Sequence, residues 1–189
     1  MILHAGVPSV TPININGNFG GTTFQPAGVS LTLPPGSIQV GNINTSQDQQ
    51  NIVGRSGSII LNALSNIQTG NLQADDFGDN AGSITLNAGG DISTGRIIAV
   101  TTDLVNNGGN ITLNSIDGSI TVRGNIASFA GVYNGGDIFI KGKGNIFIDC
   151  ADFCLESFSG GLPNSPPLLG NSGNVTLISE NGSILSTGT

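Results

Sequence analysis

The chain reads as an all-β solenoid, a parallel β-helix of about six coils with three short strands in each, and three observations predict it. A phrase of the form G-x-I-x-L-N recurs roughly every 25 to 28 residues. It reads Gly57-Ser-Ile-Ile-Leu-Asn62, Gly82-Ser-Ile-Thr-Leu-Asn87 and Gly109-Asn-Ile-Thr-Leu-Asn114, with diverged copies at Gly136-Asp-Ile-Phe-Ile-Lys141 and Gly173-Asn-Val-Thr-Leu-Ile178. Repetition at a near-constant period means one unit stacked on itself. Within each copy apolar residues alternate with polar ones, as in Ile84-Thr-Leu86, which is the period of a half-buried strand. The composition agrees: 9% charged residues, 30 glycines and 37% apolar residues without Trp suit many thin layers better than one thick core.

Residues 1–28 fall outside the template and are expected to form an irregular N-terminal segment or cap, or the remnant of a preceding coil. They hold His4, Pro8, Pro12 and Pro26, and Ile13-Asn-Ile15 alternates briefly. The solenoid is expected over 29–189. Its first strands are placed at positions 31, 59, 84, 111, 138 and 175, in steps of 28, 25, 27, 27 and 37. Second strands centre on Ile38, Ile67, Ile92, Ile120, Ile146 and Ile184, and third strands on Ile43, Leu72, Ile97 and Ile126. A lone coil cannot offset the backbone entropy of ordering it, so each depends on its neighbours.

Asn62, Asn87 and Asn114 are expected at one equivalent corner, with their amides laddered and the column broken at Lys141 and Ile178. The glycines that precede the first strands are expected to supply positive φ at corners. The long last step predicts an inserted loop over 149–172, containing Cys150, Phe153, Cys154, Leu155, Phe158, Leu162, Pro163, Pro166 and Pro167. Its apolar residues either fold back as a lid on neighbouring coils or form a binding loop. Cys150 and Cys154 form either a small disulfide, in an oxidising compartment, or two buried thiols. Ile184-Leu-Ser-Thr-Gly188 repeats Ile92-Ser-Thr-Gly95 and then breaks off before a third strand, as in an excerpt of a longer chain.

Twelve acids against five Lys and Arg give a net charge of −7. Arg55, Arg96, Arg123, Lys141 and Lys143 are too scattered to neutralise a phosphate backbone, so no nucleic acid is expected as partner. No apolar run is long enough for a transmembrane helix. The opening Met1-Ile-Leu-His-Ala-Gly-Val-Pro8 lacks the features of a secretory signal.

The one acidic cluster, Asp75, Asp76 and Asp79, has Arg55 and Arg96 as its nearest cations in aligned layers. It lacks the Asp-Gly spacing of calcium loops, and its calcium binding is left open. His4 is the sole histidine, so a nucleophile–base arrangement has little to draw on. No residues are assigned to catalysis, a cofactor or a metal, and the chain is expected not to be an enzyme. The outward first-strand column, taken as Thr32, Ile60, Thr85, Thr112, Phe139 and Thr176, is too interrupted for a regular ice-binding rank.

Gly82-Ser-Ile-Thr-Leu-Asn-Ala-Gly-Gly-Asp-Ile92 and Gly109-Asn-Ile-Thr-Leu-Asn114 with Gly118-Ser-Ile-Thr-Val122 resemble the repeat region of filamentous-haemagglutinin-type exoproteins of two-partner secretion. The similarity spans about residues 29 to 188. It implies a right-handed parallel β-helix, an extracellular or bacterial cell-surface location, and an adhesive or structural role. The contacts expected are a cell surface or a carbohydrate or protein receptor; end-to-end self-association through the solenoid ends is a separate expectation, drawn from the exposed strand edges and not from the resemblance. The rival readings are a carbohydrate-active β-helix enzyme and an ice-binding solenoid.

Overall fold

A strand with apolar residues at alternate places buries one face only, and its backbone groups still need partners on both sides. Stacking coil on coil meets both needs. The computed structural model describes residues 36–46, 56–76, 78–102, 106–151, 154–160 and 170–187, with the backbone of strands at 2–4, 13–15 and 29–33. All its regular elements are β-strands, and they run parallel in three sheets of seven, seven and five strands.

Numbered in chain order, the first sheet holds β1 (Ile2–His4), β3 (Val29–Leu33), β6 (Ile59–Ala63), β9 (Ile84–Ala88), β12 (Ile111–Ser115), β15 (Ile138–Gly142) and β18 (Val175–Ser179). The second holds β2 (Ile13–Ile15), β4 (Ile38–Val40), β7 (Ile67–Gln68), β10 (Ile92–Thr94), β13 (Ile120–Arg123), β16 (Ile146–Asp149) and β19 (Ile184–Ser186). The third holds β5 (Ile43–Asn44), β8 (Leu72–Gln73), β11 (Ile97–Ile98), β14 (Ile126–Ala130) and β17 (Leu155–Ser159). Each coil thus contributes one strand to each sheet in turn. Strands β1 and β2 lie within residues 1–28 and pair with β3 and β4, which makes them strands of a preceding layer.

The second-strand isoleucines pair in register from Ile13 to Ile184. The third-strand positions Ile43, Leu72, Ile97 and Ile126 are likewise in register, as the spacing predicts. The first-strand alignment needs one correction. Val29, not Leu31, pairs with Ile59, and Leu31 pairs with Leu61. A slip of two preserves the alternation of the sequence, so alternation alone could not detect it. In consequence Ser30, not Thr32, stands in register with Ile60, Thr85, Thr112, Phe139 and Thr176, and Thr32 stands in register with Asn62.

The inward residues form one continuous core, with Ile59, Leu61, Ile84, Leu86, Ile111, Leu113, Ile138 and Ile140 buried from the first sheet alone. Backbones at the corner before each first strand approach so closely that a column of glycines results: Gly57, Gly82, Gly109, Gly136 and Gly173. A Cβ on Gly109 would collide with the Gly82 carbonyl oxygen, and Gly136 and Gly173 stand in the same relation to the glycine below. The expected positive φ is not the reason, since among the described residues only Gly124 has one, at 138°.

Asparagines stack as well, though not where a corner was expected for them. Asn62, Asn87 and Asn114 pair in register inside the first-sheet strands, and Asn87 Nδ2 donates to Asn62 Oδ1 at 2.9 Å. Lys141 and Ile178 follow them in register and end the column, as expected.

The corner ladders are built from other residues. At one, the Asn107, Asn134 and Asn171 N–H groups donate to Oδ1 of Asn80, Asn107 and Asn134. At another, Asn66 Oδ1, Asp91 Oδ1, Ser119 Oγ and Asn145 Oδ1 accept from the N–H groups of Asp91, Ser119, Asn145 and Ser183, each at 2.7 to 3.1 Å. Each polar side chain satisfies the backbone of the coil that follows it.

Gly109→Ala should lower unfolding stability by about 3 kcal/mol, because neither backbone can yield without breaking the ladder. Gly142→Ala is the control, since its Cβ would find its nearest neighbours at 3.5 Å. Its cost should stay within about 1 kcal/mol by urea denaturation.

Candidate functional site

Three places depart from the plain repeat and were the candidates for chemistry or recognition: the acidic loop, the cysteine corner and the outward columns.

Asp76 is 1% exposed, which demands compensation for its charge. Its Oδ2 accepts from the Ser56 N–H at 2.5 Å, and its Oδ1 from the Gly78 and Asp79 N–H groups at 2.8 Å. The Asp76 N–H in turn donates to Val100 O at 2.9 Å, so the residue ties a loop to the coils on both sides. Asp75 Oδ1 accepts from the Val100 N–H at 3.1 Å, and its Oδ2 from Gln73 Nε2 at 2.6 Å. Asp79 Oδ1 accepts from the Asn80 N–H and Nδ2.

The three carboxylates therefore serve backbone and amide donors. Among the described residues no group of three or more His, Cys, Asp or Glu side chains is arranged to hold a metal ion. Arg96 lies close enough to Asp75 to act on its charge. Arg55 and the side chain of His4 lie outside the described residues.

The segment expected as an inserted loop, 149–172, contains a strand. β17 pairs with β14 over five residues, Ile126 with Leu155 through Ala130 with Ser159. Leu155 takes the inward third-strand place and packs against the core instead of lying in a lid. A signal was present: Ile126-Ala-Ser-Phe-Ala130 and Leu155-Glu-Ser-Phe-Ser159 share Ser-Phe at matched places. The five residues between β16 and β17 hid it by breaking the step.

Cys150 and Cys154 close that corner as a disulfide, with Cα atoms 5.5 Å apart. Phe158 points outward and stacks on Phe129, with ring centroids 4.8 Å apart and planes 10° from parallel. Phe153, Leu162, Pro163, Pro166 and Pro167 lie outside the described residues.

Outward residues carry the remaining variety. Phe139 follows Thr112 on the first sheet, and Phe147 follows Thr121 on the second. With Phe158 on the third sheet, one coil presents a phenylalanine on each of its three faces. The Lys141–Glu180 and Lys143–Asp117 pairs, at 2.8 and 2.6 Å, are solvent-exposed and contribute little to stability. No helix among the described residues is long and apolar enough to cross a membrane.

These features define a β-solenoid repeat protein whose departures from the repeat are built into its corners and outer columns. No family model, no curated protein and no solved structure matches the chain.

Burial raises the Asp75 carboxyl above its ordinary 3.8, against the opposing pull of Gln73, Val100 and Arg96. The folded state then binds this proton more tightly than the unfolded chain does. Stability from Asp75 falls as pH rises from 3.8 through the raised value and stays low at neutral pH. Asp75→Asn should therefore stabilise the protein at pH 7, with the gain vanishing below pH 3.8 in urea midpoints. Asp76→Ala should cost about 3 kcal/mol at neutral pH, because three N–H donors lose their acceptor.

Proposed function

We propose that the chain is a structural and adhesive module of a bacterial surface or secreted exoprotein, a rigid solenoid presenting outward side chains and corners to another surface. The observation that carries this reading is the division of labour around the coil. Inward residues and corner side chains are taken up in stacking, so the outward columns are the part able to vary with a partner. The disulfide fits an oxidising compartment outside the cytosol. The engagement of Asp75, Asp76 and Asp79 by hydrogen bonds weighs against the rival reading as a polysaccharide-cleaving enzyme, which needs carboxylates turned toward a groove.

The full 189-residue chain, labelled and added to cell monolayers and to arrays of glycans and matrix proteins, should bind saturably to a subset. Phe139→Ser combined with Phe158→Ser should weaken that binding at least about tenfold while leaving the circular dichroism spectrum unchanged. Turnover on a panel of polysaccharides would transfer the reading to the enzyme class.

End-to-end assembly through the strand edges of the solenoid is the second part of this reading. Parallel strand edges of this kind add further strands readily. Sedimentation velocity should show association growing with concentration, and a mass independent of concentration would remove the self-association reading.

A further inference from the structure

We propose that the Asn107–Gly108 and Asn134–Gly135 links are deamidation sites that the stacked coils hold closed and that unfolding opens. Asn followed directly by Gly occurs at positions 16, 107, 134 and 181. The two central pairs stand at one corner, in the column Asn80, Asn107, Asn134 and Asn171 that leads into the first sheet.

Stacking calls for both residues of the pair. The asparagine side chain accepts the N–H of the coil that follows it. The glycine answers to close approach: a Cβ on Gly108 would lie 2.9 Å from Ser128 Oγ and 3.0 Å from Phe129 O, and one on Gly135 would lie 2.9 Å from both N and O of Phe158. The same two demands create a labile link, because glycine has no side chain to shield its nitrogen and its backbone turns freely once released.

The reaction is intramolecular. Hydroxide takes the proton of the glycine N–H and the nitrogen attacks the asparagine Cγ. A new C–N bond closes a succinimide, and the side-chain nitrogen leaves as ammonia after taking a proton from water. A second water then opens the ring at either carbonyl. One opening gives aspartate, and the other gives isoaspartate, which carries one additional carbon in the main chain.

In the folded protein both groups needed for the first step are engaged elsewhere. The Gly108 N–H donates to Asn134 O and the Gly135 N–H to Asn171 O, each at 3.0 Å. Asn107 Nδ2 donates to Asn80 Oδ1 at 3.1 Å, and Asn107 Oδ1 accepts from the Asn134 N–H and Nδ2 at 3.2 and 3.1 Å. Asn134 Oδ1 accepts from the Asn171 N–H at 2.9 Å. Each side chain is thus held along the stack and not over its own following peptide. Both asparagines are exposed, so exclusion of water is not what protects them. Protection rests on the bonds between layers, as it does for a slowly exchanging amide. Isoaspartate at either place lengthens the corner between strands whose register the stack fixes, so the modified chain cannot restack in step.

The full chain, kept in mildly alkaline buffer either folded or in guanidinium chloride and mapped by mass spectrometry, tests the proposal. Amide loss at 107 and 134 should be at least about tenfold slower in the folded protein. Asn80→Ala, checked for an unchanged circular dichroism spectrum, should speed the loss at 107 in the folded state and leave 134 at its parent rate. After ageing in denaturant, the fraction that refolds on dilution should fall in step with isoaspartate at 107 and 134. Equal rates in the folded and unfolded chain would overturn the proposal. So would an unchanged rate at 107 in folded Asn80→Ala, or full refolding of chains that carry isoaspartate at these places.

Discussion

Backbone hydrogen bonds between successive coils, made in parallel register, are the constraint on which the rest of the structure depends. They hold neighbouring layers at the spacing of paired strands, about 4.8 Å, at corners as well as in sheets. Where two corners meet at that distance there is no room for a side chain between backbones. The column Gly57, Gly82, Gly109, Gly136 and Gly173 is the result. Corner residues whose N–H points to the layer below find their acceptors there, in side chains such as Asn66, Asp91, Ser119 and Asn145. The abundance of Gly, Asn and Ser and the scarcity of charge follow from the same demand.

That constraint separates the side chains by task. Most inward places hold aliphatic or small residues, with Asp76 buried among them, and most corner places hold glycine or short hydrogen-bonding groups. Outward places answer to neither rule, and there the coils differ: threonine and asparagine face out over 84–114, whereas Phe139, Phe147 and Phe158 face out over 138–159. The proposed recognition role draws on this variation around a repeated scaffold.

Much of this was legible before any coordinates. The isoleucines of the second sheet and the apolar third-strand positions follow from the spacing of the repeat alone. Other features escaped. The first strand at Val29–Leu33 has apolar residues at three alternate places, Val29, Leu31 and Leu33, so its register was ambiguous by two. β17 was concealed by a widened corner, although Ser157-Phe158 echoes Ser128-Phe129. The asparagines of the repeated phrase looked like corner residues because Asn favours turns, yet they sit in strands where their neighbours are other asparagines.

The sequence by itself determined the class of fold and the face on which nearly every strand residue lies, since alternation with period two and repetition of the coil are written locally. The tertiary structure alone decided the register of the strand at 29–33, the roles of the acids and the state of the cysteines. The reason is the range of the interactions involved. Asp76 is a structural carboxylate because Ser56, twenty residues earlier, brings its N–H to it. Cys150 and Cys154 are bridged across a corner that sheet pairing on both sides holds closed.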